Sequence, residues 1–231
     1  MPELTDAVCE VVESMGVRLP VDPQIMSEVM CQTIRSGRYE KSEAKNLPSV
    51  VEPGERVLEL GAGIGFLSAV IAGLGRAEAI VAVEANPELI PLIHKTHALN
   101  GVRAAVIHAA VVADDAGKTV SFPIAEDFWS SSLAPRKGVE MRDVVEVPAI
   151  SLRRLIEAHR PTLLIVDVEG SELELFSRPE DLEGVRAVLM EVHQKIIRPA
   201  GVKRLFDFLS AAGFYVDVRQ LSPEVVLFRR L

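Results

Sequence analysis

Cysteine is nearly absent from this chain: Cys9 and Cys31 are its only two in 231 residues. They form no C-x-x-C pair and stand beside no histidine cluster, which argues against a thiolate zinc site and leaves two small apolar residues of a reducing compartment. The N-terminal MPELTDAVCEVVESMG lacks a basic stretch ahead of an apolar one and is not a signal peptide. No uncharged run reaches the ~18 residues that a membrane helix needs. Positive charge is in deficit, the formal net charge being −8. That balance argues against a broad basic surface for nucleic acid or anionic membrane, though it leaves room for a small basic patch. Repeats and low-complexity linkers are also missing. The expectation is a cytoplasmic protein with no membrane insertion and no nucleic-acid partner.

What the chain does have is enough apolar residue, 48%, to build a packed core. The first fifty residues read as helical. Thr5 or Asp6 caps one helix with Val8, Val11, Val12 and Met15 on a face and Gly16 at its end, and Asp22-Pro23 opens a second that Gly37 closes. Residues 1–52 are therefore expected to form a helical cap segment that covers a pocket or builds a homodimer interface.

From residue 53 to 231 the pattern changes. Apolar strands at Arg56–Leu60, Ala79–Glu84, Ala104–His108, Thr162–Asp167 and Arg186–Glu191 alternate with helical segments at Gly65–Leu74, Pro87–Leu99, Leu152–His159 and Ser171–Phe176. Asn86-Pro87 opens one helix, and Ser171 with Glu174 reads as a capping box. This alternation implies a parallel sheet covered by helices on both faces. Val202–Ala212 forms another helix, stopped by Gly213. The last strands, Phe214–Arg219 and Glu224–Arg229, are too close in sequence for a parallel crossover and form an antiparallel hairpin. Residues 118–148 fit no βαβ unit and read as an inserted hairpin or flap with Trp129 and Ser130–Ser132 at its tip.

Four segments carry chemistry. VLELGAGIGFLSA, residues 57–69, runs a strand into Gly61, Gly63 and Gly65 and then a helix. Glycine tolerates positive φ and lets a ligand approach the backbone, and the helix N-terminus offers free N–H groups to an anion. The third glycine arrives one residue early for the dinucleotide fingerprint, and no GKS or GKT follows for a phosphate loop. VAVEANPEL ends the next strand on Glu84, where a carboxylate at the same sheet edge can accept from both hydroxyls of a ribose. LLIVDVEGSELELF places Asp167 and Glu169 at the end of a central strand, and VLMEVHQ puts Glu191 and His193 on one side of the next. These four ionisable groups are expected to converge, at an energetic cost unless paired. They could ligate a hard or borderline cation. With no H-x-H or H-E-x-x-H present, the site is read without a metal. A lone solvated acid at Glu84 and a structural histidine at His193 are the bland alternatives.

With these segments in view, the chain resembles the FkbM-family methyltransferases, S-adenosylmethionine-dependent enzymes of the Rossmann-like class. The resemblance rests on VLELGAGIGFLSA, VAVEANPEL, HALNG, IVDVEGSELELF and MEVH in that order. It implies a seven-stranded, mostly parallel sheet with a C-terminal antiparallel hairpin. It also implies S-adenosylmethionine held at Glu59, Gly61, Ala62, Gly63, Gly65 and Phe66, with Glu84 on the ribose, Ala85 and Asn86 beside the adenosine, and Ala109 and Ala110 near the adenine. Tyr39-Glu40 would close over the cofactor, with Asp167 beside it. The reaction implied is O-methylation of a hydroxyl on a small molecule, sugar or lipid, with His193 or Glu169 as base and Asp167 as a third candidate. Alternatives are a non-catalytic nucleoside sensor or partner subunit and a nicotinamide oxidoreductase.

Overall fold

The computed structural model describes residues 10–113, 119–127, 131–133, 141–176, 178–221 and 224–231. Its first element is not a helix. Glu10–Ser14 (β1) and Val17–Val21 (β2) pair antiparallel, with Ser14 opposite Val17. The two residues between them, Met15 and Gly16, have φ of 51° and 78°, as a tight hairpin turn of the right-handed twist requires. The valine spacing imitates a helix, but the chain here is a hairpin whose second strand is buried at Val17, Leu19, Pro20 and Val21 and exposed at Arg18. Thr5, Asp6 and Val8 lie outside the described residues. The next helix, Glu28–Arg35 (α1), starts five residues later than Asp22-Pro23 would have it. Ser27 caps it by accepting from Met30 N–H, while Asp22 is used in a preceding turn. Lys41–Val50 (α2) follows. Met30, Ile34, Ala44, Leu47 and Val50 pack in one apolar cluster with Val57, Phe66 and Leu189.

The body of the chain follows the alternation read from sequence. In order come Glu55–Leu60 (β3), Phe66–Gly73 (α3), Ala77–Glu84 (β4), Ile90–Asn100 (α4), Ala105–His108 (β5), Ala110–Val112 (β6), Thr119–Ala125 (β7) and Met141–Ser151 (β8). Then follow Leu152–His159 (α5), Leu163–Val166 (β9), Glu172–Leu175 (α6), Ala187–Glu191 (β10), Gln194–Ala211 (α7), Phe214–Leu221 (β11) and Val225–Arg230 (β12). Seven strands form one sheet in the order β11-β12-β10-β9-β3-β4-β5. Its β3–β4, β3–β9, β4–β5 and β9–β10 pairs are parallel, and β12 runs antiparallel to both neighbours. One apolar cluster covers each face of this sheet. This is a Rossmann-like methyltransferase fold, with the seven-stranded sheet that the sequence led one to expect. The chain turns from building outward through β4 and β5 to building through β9 and β10 at β3. Such a sheet opens its ligand crevice at that switch point, beyond the strands' carboxyl ends.

Three local expectations fail. Ser171 gives α6 no side-chain cap; its hydroxyl instead meets that of Ser132 at 3.2 Å. Asn86-Pro87 makes a turn, and α4 begins only at Ile90. The final helix extends back to Gln194 through a kink at Arg198, whose φ of 64° and ψ of 166° precede Pro199. The insertion is a β7–β8 antiparallel pair, with β6 added parallel to β8. Trp129 and Ser130 lie outside the described residues. No helix among those described is long and apolar enough to cross a membrane.

Candidate functional site

A cavity of about 940 Å³ opens above the carboxyl ends of β3, β4, β9 and β10. The structure brings to its wall Tyr39, Glu40, Gly61, Gly63, Glu84, Ala85, Ala109, Ala110, Asp167, Glu169, Glu191 and His193. Five expected cofactor residues sit behind that wall: Glu59, Ala62, Gly65, Phe66 and Asn86 are buried and do not line the cavity. Phe66 faces Tyr39, ring centroids 6.1 Å apart, and so supports a wall residue from the rear.

The glycine turn works differently from the sequence expectation of free amides. Gly61 and Ala62 N–H both donate to the Val83 carbonyl, and Gly65 N–H donates to that of Ala62. Gly63 N–H donates to the Glu84 carboxylate at 2.9 Å. The missing side chains are likewise matched by the chain itself. A β-carbon on Gly61 would lie 1.7 Å from the Asp167 carbonyl oxygen, and one on Gly63 would lie 2.3 Å from the Tyr39 hydroxyl. Close passage of the Asp167 backbone, just past the end of β9, beside the end of β3 is thus what demands Gly61, whose φ is +81°.

Glu84 is the residue the turn serves. Its second carboxylate oxygen accepts from Asn86 N–H at 2.7 Å. A carboxylate offers about four acceptor positions, so two backbone bonds orient it and leave capacity for a diol. Burial pushes its pKa up to about 7, against the lowering effect of those amides. Burial also holds Glu40 and Tyr39 well above their usual ranges.

Opposite Glu84 the four groups expected to converge do so, around His193. Its Nε2 lies 3.1 Å from Glu169, 3.7 Å from Glu191 and 3.8 Å from Asp167. Its Nδ1 contacts the carboxylate of Glu172 at 2.6 Å. Burial lowers the imidazole pKa, but the hydrogen bonds to Glu169 and Glu172 outweigh it and push the group up to about 11. Burial raises Asp167 well above its usual range, with the Glu169 and Glu191 charges adding to it. Glu191 rises to about 7, again chiefly from burial.

Glu172 was missed in the sequence. Its side chain is wholly buried and also accepts from Gly170 N–H at 3.0 Å. The signal was the spacing in EGSE, three residues after Glu169, overlooked because Ser171 and Glu174 offered a conventional cap. Sequence reasoning also passed over Lys195 and Arg198, which line the cavity with Arg38 and Lys41. Glu40, Glu169 and Arg198 hold left-handed backbone at φ of 45°, 54° and 64°, a conformation that costs a non-glycine residue on the order of 1–3 kcal/mol. All three are at this wall. His97, on α4, is buried against the Ser68 hydroxyl at 2.8 Å, and burial lowers its pKa to about 4.

With this geometry in hand, likeness to known proteins can be weighed. Residues 11–121 match the family model of the TRM5/TYW2 methyltransferase domain. No curated protein matches. Among solved structures, Trm5b of Pyrococcus abyssi aligns over 96% of this chain and 55% of its own, at 14% identity and a TM-score of 0.54. The M. jannaschii tRNA m1G37 methyltransferase aligns over 96% and 56%, at 15% identity and 0.51. M. jannaschii TYW2, solved in complex with AdoMet, aligns over 96% and 87%, at 14% and 0.48. The chain spans a little over half the length of the first two.

These findings agree with the methyltransferase fold and with S-adenosylmethionine as cofactor, and they correct two expectations. The matching family is TRM5/TYW2, not FkbM. The glycine turn and the acidic strand end that invited the FkbM resemblance are features of the strand–turn–helix start of the sheet and do not by themselves separate one methyltransferase family from another. The exclusion of nucleic acid also falls, since a tRNA methyltransferase shares this architecture. A net charge sums over the whole surface, whereas binding is decided by a local patch.

Proposed function

We propose that this chain transfers a methyl group from S-adenosylmethionine to a nucleotide of tRNA, rather than to the hydroxyl of a small molecule, sugar or lipid. The observation that carries the cofactor half is Glu84. Its carboxylate is oriented by Gly63 and Asn86 N–H at the rim of a cavity whose far wall holds an acid–histidine cluster. Glu84 would accept from the ribose hydroxyls. Ala109, Ala110 and Leu89 would bound the adenine, Tyr39 and Glu40 would close one side, and Arg38 would meet the carboxylate of the methionyl tail. Bound there, S-adenosylmethionine supplies a methyl group already activated by its sulfonium.

The chain then has to align the acceptor and take its proton. Alignment alone is worth several kcal/mol of barrier. The proton passes to a carboxylate of the cluster formed by Asp167, Glu169, Glu191 and His193. Lys41, Lys195 and Arg198 supply positive charge at the same cavity for a phosphodiester. Supporting the tRNA half are the family match and the described activity of the M. jannaschii neighbour.

Calorimetry with S-adenosylmethionine against NADH tests the cofactor, and transfer of labelled methyl to unfractionated tRNA tests the acceptor. Glu84→Ala is expected to weaken S-adenosylmethionine binding about a hundredfold, since two charge-assisted hydrogen bonds are lost. Unchanged affinity in that variant, or NADH binding in its place, would refute the cofactor assignment. Labelled protein or small molecules with unlabelled tRNA would refute the acceptor.

A further inference from the structure

The cluster around His193 is over-supplied with negative charge. Asp167, Glu169 and Glu191 all face Nε2 within 3.8 Å, and Glu172 occupies Nδ1. One oxygen of Asp167 is sheltered from solvent and makes no hydrogen bond; its nearest cationic partner is Nε2 itself, at 3.8 Å. The imidazole is fixed by a partner that is in turn fixed. Glu172 is fully buried and accepts from Gly170 N–H with the same oxygen that meets Nδ1. With Nδ1–H committed to Glu172, a cation that displaces the Nε2 proton would meet the lone pair of Nε2 on the side of the carboxylates. A carboxylate behind a histidine, setting its tautomer from the far nitrogen, is the usual support of a metal-ligating imidazole.

The ligand atoms have the spacing that a cation needs. One atom each from Asp167, Glu169 and His193 lie within 4.8 Å of one another. In an octahedron with bonds near 2.1 Å, adjacent ligands stand about 3 Å apart, which the Glu169–His193 separation of 3.1 Å already meets. Asp167, at 3.8 Å from Nε2, stands only slightly farther from the imidazole. One imidazole with two carboxylates suits a divalent ion of the manganese-to-zinc series rather than calcium.

We infer that Asp167, Glu169 and His193 form a divalent-cation site in the wall of the cavity, with Glu172 positioning the histidine. Its open coordination positions face the cavity, where an acceptor's oxygen or ring nitrogen would lie. The inference goes beyond the methyl-transfer reading and does not depend on it, because the site is built wholly from this chain's own side chains.

The test uses the full chain after exhaustive chelation. Titrated Mn2+ is expected to bind at one equivalent, seen as loss of the free-ion paramagnetic signal. The bound ion is expected to show the nitrogen coupling of an imidazole. Glu172→Gln should weaken binding about tenfold to a hundredfold, the range for outer partners of metal ligands. Asp167→Asn should weaken it at least as much; it preserves shape and removes a buried charge, so its folding is not at risk. Glu174→Gln, on the exposed side of α6, should leave binding unchanged. Absence of saturable binding, absence of nitrogen coupling, or full affinity in Asp167→Asn would overturn the site. S-adenosylmethionine calorimetry on the same samples separates the two readings: cofactor binding without cation binding ends this inference alone, and cation binding without cofactor binding ends only the other.

Discussion

Gly61→Ala is expected to cost this protein most of its stability. The added methyl would sit 1.7 Å from the Asp167 carbonyl oxygen and 2.8 Å from its carbon, both backbone atoms with no rotamer to escape into. Relief requires moving the end of β9 away from β3 by on the order of 1–2 Å, enough to break the bond from Asp167 N–H to the Leu60 carbonyl, now 2.9 Å. The residue's φ of +81° adds a further penalty for any side chain. Together these place the substitution in the rare class of losses near or above about 4 kcal/mol. For a chain of this size that corresponds to a fall in unfolding midpoint on the order of 10 °C. Gly63→Ala meets only the Tyr39 hydroxyl and the tip of Glu40 and should cost much less. Gly54→Ala, with φ of +80° but open space around it, should cost only the backbone term, about 1 kcal/mol. Thermal unfolding of the three variants checks the order. A Gly61→Ala midpoint equal to that of Gly54→Ala would mean that the chain leaving β9 does not pass against Gly61 as described.

This prediction also marks how far the sequence could be read. That Gly61 matters was legible from its place between a strand and a helix; that its neighbour is Asp167 was not, because the two are 106 positions apart and meet only through sheet order. The parallel sheet and its antiparallel end were legible because buried strands are continuous apolar runs and the last linker is short. The N-terminal hairpin was not. Its turn uses Met15 at positive φ, which propensity does not foresee, and its outer strand shows little burial on either face. At the site, convergence of Asp167, Glu169, Glu191 and His193 followed from strand ends alone. Glu172 and the cationic Arg198 did not, since α6 is a single turn and the kink before Pro199 leaves no periodic trace.

Raising the pH is expected to loosen the fold through Glu59. This carboxylate is 1% exposed, and burial pushes its pKa up to about 8. Neither oxygen has a hydrogen-bond partner of full geometry, although the nearby Ser68 hydroxyl and amide offset part of the cost. The unfolded chain gives up this proton near pH 4.3. The folded state therefore binds more protons across the interval up to about 8, and stability falls as pH rises through it. Glu84, pushed to about 7 by burial, acts in the same sense. His97 acts oppositely but lower down: its value near 4 in the folded state favours folding as pH rises only until about 6.5. Above that point the acids act without this opposition. Between pH 6.5 and 9 the loss attributable to Glu59 is about 2 kcal/mol, or on the order of 5 °C in the unfolding midpoint. Glu59→Gln keeps the shape of the side chain and removes the charge. It should raise the midpoint at pH 9 and flatten the slope while leaving S-adenosylmethionine affinity nearly unchanged, because Glu59 stands behind the cavity wall. A slope identical to that of the parent chain would show that the carboxylate is solvated after all. A large loss of cofactor affinity would return Glu59 to the cavity, where the glycine-turn motif first placed it.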